Sequence, residues 1–167
     1  LPLYTVADVD KAMHHLKGIP FDSTHQFEFG AKLRLYRAGH ILGASTVEIC
    51  WKGRRIVFSG DIGRYNDPLM HDPAIMKEAD YLVLESTYGD RRHEKEDPED
   101  RLAEIIQRTI RRGGTVLIPA FAVGRAQLLL LHLYRLKQQR RLPANLPVFL
   151  DSPMSVNAAD VYRRYPA

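Results

Sequence analysis

The nine residues Arg55 to Gly63, RIVFSGDIG, constrain this chain more than any other stretch. Ile56, Val57 and Phe58 form an apolar run of the strand kind, which Ser59-Gly60 ends before delivering one carboxylate, Asp61. The arrangement recurs twice. His40 stands inside AGHILGAS after one apolar run, and Glu85 closes another, YLVLE. A loop just past a strand end holds a polar group steadily while leaving it open to substrate. A His and two carboxylates delivered in this way point to hydrolytic metal chemistry.

The surrounding pattern supplies the strands. Phe27 to Phe29, Lys32 to Ala38, Thr46 to Trp51 and Arg54 to Ser59 read as successive strands, with Lys52-Gly53 as a two-residue hairpin turn. Ahead of them Thr5 to Asp8 matches a capping box, and Val9, Ala12, Met13 and Leu16 recur at helical spacing until Gly18. His14 and His15 fall on the polar side of that helix and diverge by about 100°, so they are not a metal pair. His25 reads as a loop residue. A polar loop from Arg64 to Pro73 leads to a further strand, Tyr81 to Leu84.

At Arg91 the texture changes. Arg91 to Asp100 is almost wholly charged and reads as a linker or domain boundary. Asp97 then caps a helix begun by Pro98, with Leu102, Ile105, Ile106, Thr109 and Ile110 as its buried stripe, ending at Arg111-Arg112-Gly113-Gly114. Beyond it are a strand at Thr115 to Ile118, a helix from Arg125 to about Gln139, a strand at Val148 to Leu150, and a last helix from about Ser155 to Tyr165. Strand, helix and strand with short loops imply a parallel crossover whose ligand site lies past the strand ends. Those ends are Pro119 to Arg125 and Asp151-Ser152-Pro153.

Composition excludes several classes. A single cysteine, Cys50, rules out an internal disulfide framework and a cysteine-rich zinc module. No apolar run approaches the roughly 20 residues needed to cross a bilayer, so a soluble protein without a membrane partner is expected. The first residue is Leu rather than Met, which suggests a piece of something longer. Charge is uneven: residues 1–90 hold 10 Lys and Arg against 12 Asp and Glu, whereas residues 91–167 hold 14 against 8. The basic half suits a polyanionic partner. For Arg111, Arg112, Arg140 and Arg141 taken singly, solvation of helix C-termini is the simpler reading.

AGHILGAS, FSGDIG, ESTYGD, IPAFAVGRAQ and DSPM, in this order, resemble the β-CASP branch of the metallo-β-lactamase superfamily, whose members are RNA-processing nucleases and relatives acting on DNA. The resemblance implies an α/β chain in two parts: residues 1–90 from a metallo-β-lactamase αββα sandwich, and residues 91–167 opening a β-CASP α/β domain. It assigns His40 as a zinc ligand and Asp61 as the carboxylate bridging two Zn2+. Glu85 becomes an acid that positions a later His. The loop holding Gly124 and Arg125, with Ser152, is expected beside the substrate. Two cations roughly 3.5–4 Å apart would share an activated hydroxide that attacks phosphorus.

The branch's main metal motif, His-x-His-x-Asp-His, does not occur in this stretch, nor do its later His motifs. The expectation is therefore a fragment of a zinc-dependent ribonuclease, inactive alone, acting in the whole protein on single-stranded RNA. It would work in the cytoplasm, or the nucleus in a eukaryote, and could form a homodimer. The alternatives are a nuclease-dead scaffold of an RNA-processing complex and a β-CASP nuclease acting on DNA. His71, His93 and His132 match no motif of the branch and read as surface or core residues.

Overall fold

A computed structural model describes residues 2–92 and 96–165. Alternating side chains and tight turns build one five-stranded sheet in chain order: β1 Thr24–Gln26, β2 Lys32–Arg37, β3 Ser45–Trp51, β4 Arg54–Phe58 and β5 Tyr81–Val83. The first three pairings are antiparallel and the last, β4 with β5, is parallel. Register sets Leu33 opposite Ile49 and Ile49 opposite Ile56, and likewise Leu35, Val47 and Phe58. Opposed residues share a sheet face, so these six make one apolar side. The other side carries Arg34, Glu48 and Arg55 around fully buried Val57. There Arg55 pairs with Glu48 at 3.3 Å.

The expected strand at Phe27 to Phe29 lies three residues earlier. The Phe27 N–H donates to the Ala31 carbonyl, which folds 27–31 into the turn before β2 and leaves His25 in the strand rather than in a loop. Joining β4 to β5 in parallel requires the chain to travel back the length of the sheet. Here a helix-free stretch does it, held along its course by the Ala74 N–H on the Arg37 carbonyl. At its end the Asp80 carboxylate accepts the Arg55 N–H at 2.7 Å and an Arg54 guanidinium hydrogen bond at 3.1 Å. These contacts hold the Asp80 carboxyl below its ordinary value. They start β5 in register and so determine where Glu85 falls.

The helices are α1 Val6–Met13, α2 Pro98–Arg111, α3 Arg125–Gln138 and α4 Pro153–Arg164. Asp97 caps α2 through the Glu99 N–H, and Ser152 caps α4 through the Ser155 N–H. The start of α4 is thus two residues earlier than expected, because Pro153 fits the first helical turn. A core of Ala103, Ile106, Leu133, Leu136 and Leu142 joins α2 to α3. Fully buried Leu136 alone stabilises it by roughly 1.5–3 kcal/mol. His132 is a clasp across this core, 2.9 Å from the Glu99 carboxylate, with both side chains only 12% exposed. The apolar stripe of α1 buries no residue.

Two expected strands are not formed. Among the described residues, neither 115–118 nor 148–150 enters a ladder, and Leu117 and Phe149 remain 87% and 88% exposed. A strand needs a neighbour to take its N–H and C=O groups, and none is aligned with these segments. Among the described residues no helix is long and apolar enough to cross a membrane. His93 lies outside the described residues.

Candidate active site

His40, Asp61 and Glu85 come together at one end of the sheet. The His40 imidazole Nε2 is 3.8 Å from an Asp61 carboxylate oxygen, with the side chains 47% and 72% exposed. Glu85 approaches from the next strand: one oxygen accepts the Ile62 N–H at 2.5 Å, and the other accepts the Thr87 hydroxyl at 2.8 Å. These two bonds, aided by nearby His40, hold the Glu85 carboxyl below its usual range. The carboxylate thereby ties the loop bearing Asp61 to the end of β5.

Ser59 joins the strand ends. Its hydroxyl donates to the Gly60 carbonyl at 2.7 Å and accepts the Glu85 N–H at 2.9 Å. Its own N–H donates to Val83, and its carbonyl accepts the buried Thr46 hydroxyl at 3.0 Å. One residue, through both its backbone and its side chain, thus sets the ends of β3, β4 and β5 against each other. Sequence reading assigned no role to Ser59, Thr46 or Thr87. The available signal was a small hydroxyl residue flanking each apolar run, where side-chain oxygens commonly satisfy backbone groups.

The loop of His40 meets the loop of Asp61 backbone to backbone. The Gly63 N–H donates to the Ala38 carbonyl at 2.8 Å, and a Cβ built on Gly63 would overlap the Gly39 carbonyl. Only glycine fits at position 63. On its far side the His40 loop leans on α3: a Cβ at Gly124 would sit 3.2 Å from Ile41, and Gly124 has a left-handed φ of +81°. The Tyr162 hydroxyl of α4 is buried beside the Leu42 backbone without a well-formed hydrogen bond, and burial pushes its pKa up.

Gly124 and Arg125 are therefore brought to the His40 loop through Ile41. The backbone N–H groups there are already engaged. Gly124 donates to the Gln127 side chain, Arg125 to the Val123 carbonyl and Ala126 to the Phe121 carbonyl. An anion at this helix start would meet the exposed Arg125 guanidinium rather than these backbone donors. Ser152 spends its oxygen on the cap of α4. Sequence reading missed Gln127, buried, whose amide N–H donates to Ala122 and Ser155 while its oxygen takes the Gly124 N–H. It pins the 124–125 turn to α4.

Two donors converge, an imidazole nitrogen and a carboxylate, both of the types zinc accepts. Among the described residues no group of three or more His, Cys, Asp or Glu could hold a metal ion. The pair fits part of a metal site.

The Beta-Casp domain family matches residues 126–167. Over 165 residues the chain is 38% identical to Ribonuclease TTHA0252 of Thermus thermophilus and 37% identical to Cleavage and polyadenylation specificity factor 73 of Drosophila melanogaster. By these matches the chain is similar to proteins of the β-CASP branch. It is also 32% identical over 166 residues to an RNase J-like protein of Methanocaldococcus jannaschii. These alignments cover 98%, 98% and 97% of the chain but 37%, 24% and 39% of the respective relatives. The chain thus spans well under half the length of each.

Proposed function

We propose that this chain is part of a zinc-dependent ribonuclease that hydrolyses phosphodiester bonds of single-stranded RNA. The observation that carries the reading is the convergence of His40 and Asp61, with Glu85 bonded to the loop that bears Asp61. Relatives named as ribonucleases, matched over nearly the whole chain, support RNA as the substrate. In this reading residues 1–90 belong to the metallo-β-lactamase part and 91–167 to the β-CASP part.

His40 would hold zinc through an imidazole nitrogen, and Asp61 would offer its two oxygens to two ions. Bound there, zinc supplies Lewis acidity and makes water a nucleophile at neutral pH. Glu85 keeps the Asp61 loop in place, and Arg125 holds substrate phosphate by charge. With two such ligands the chain by itself is expected to be inert, since metal affinity needs a fuller preformed cage.

The test is cleavage of labelled single-stranded RNA by the full-length protein. A chelator should stop the reaction, and added zinc should restore it; cleavage that continues in chelator would remove the metal from the account. Faster cutting of DNA of the same sequence would favour the DNA-directed alternative.

The Glu85 clasp makes a separate prediction about pH. Its carboxyl has a lower pKa folded than its ordinary 4.5. Its stabilisation is therefore present above about pH 4.5 and lost as pH falls through the folded value. The melting temperature of wild type should exceed that of Glu85→Gln at pH 7, and the gap should close as pH falls through the lowered folded value. A gap independent of pH would show that the charge of Glu85 is not what holds the loop.

A further inference from the structure

The C-terminal ends of α2 and α3 face each other across a cavity of about 540 Å3. Four cationic side chains line it: Arg111, Lys137, Arg140 and Arg141. Charge at a helix C-terminus usually answers the helix dipole, and part of this cluster does so. The dipoles do not account for all of it. Two helix ends carry about half a negative charge each, and the nearby Asp100 carboxylate is taken by Arg141 at 2.6 Å. That leaves the groove positive by about two charges.

The heads are held in place by neutral groups. The Lys137 ammonium donates to the Leu146 carbonyl at 2.5 Å, and the Arg111 Nε donates to the Gln107 carbonyl at 3.2 Å. Among the described residues neither these two nor Arg140 has a carboxylate partner within 4 Å. Ile110 and Pro143 give the groove an apolar floor, with Leu142 buried beneath them. A groove lined by unpaired cations is the kind of surface that tracks the phosphates of a single nucleic-acid strand.

We propose that this groove is a second binding site for single-stranded RNA, contacting its phosphates without reading sequence. It lies at the far end of α3 from the His40 loop, about 20 Å away along a helix of 14 residues. The site rests on the reading of RNA as substrate and extends it: a strand engaged near Arg125 and long enough to run the length of α3 gains a second hold. A short strand cannot reach both.

The experiment uses full-length protein and the double variant Arg111→Gln/Arg140→Gln, with single-stranded RNA of about 16 and about 4 nucleotides. Both side chains lie on the surface, and an unchanged melting temperature verifies the fold. For the longer RNA the variant should bind about tenfold more weakly at low salt. Its plot of log affinity against log salt should flatten by about 1.4, two lost phosphate contacts at about 0.7 each. Cleavage of the 4-mer should be unaffected, and Arg111→Lys/Arg140→Lys should keep most of the salt dependence. Unchanged 16-mer affinity and salt slope would overturn the site. So would loss of polyglutamate binding with RNA binding intact, which would assign the groove to an acidic protein. Failure of the nuclease reading would show instead as wild-type protein that cleaves neither RNA, whatever the groove does.

Discussion

Asp61→Ala in the full-length protein should lower RNA cleavage at least about a thousandfold, a barrier increase of about 4 kcal/mol, with little change in melting temperature. The two halves of this expectation have separate causes. The Asp61 side chain is 72% exposed and reaches His40 only at 3.8 Å, so its removal opens no cavity and orphans no buried partner. Exposed substitutions of that kind shift stability by about 0.5 kcal/mol or less. The loop itself remains tied, because the Ile62 N–H is held by Glu85 and the Gly63 N–H by Ala38. Chemistry, by contrast, loses the carboxylate proposed to bridge the metals. Single-turnover cleavage and thermal unfolding measured on the same preparation separate the two, and wild-type cleavage by the variant would sink the proposed role.

Gly63→Ala should do the reverse, damaging the fold first and the activity as a consequence. The added methyl would overlap the Gly39 carbonyl and stand 2.7 Å from the His40 nitrogen, both backbone atoms with no rotamer to escape through. To admit it, the Asp61 and His40 loops must part, which breaks the hydrogen bond from Gly63 to Ala38. The cost should be about 3 kcal/mol or more, in the range of severe overpacking. Denaturant unfolding checks it against Gly18→Ala, where nothing lies within 4 Å and only a small change is expected. Equal midpoints for the two variants would mean that the loops are not locked together at Gly63.

Much of the candidate site was legible in the chain because its signals are local. Each of His40, Asp61 and Glu85 follows an apolar run, and β2, β3, β4 and β5 occur within a residue of where alternation placed them. Asp97-Pro98 and the Gly-Gly pair at 113–114 mark the ends of α2 just as plainly. What failed were segments whose state depends on a distant partner. Thr115 to Ile118 and Val148 to Leu150 have the composition of strands but find no neighbour among the described residues. Phe27 to Phe29 has it too, yet the chain turns there to pair Phe27 with Ala31.

Sequence alone determined which residues are polar at strand ends, how the helices start and stop, and which half of the chain is basic, because propensity, capping and charge act over a few residues. Tertiary structure decided that Glu85 grips Ile62, that Ser59 joins the ends of three strands, and that Gln127 pins the Arg125 turn to α4. It also gathered Arg111 with Arg140 across one groove. Those pairings join groups 13 to 29 positions apart. Hydrogen-bond geometry and packing select such partners only once the backbone has been folded, so no local pattern records them.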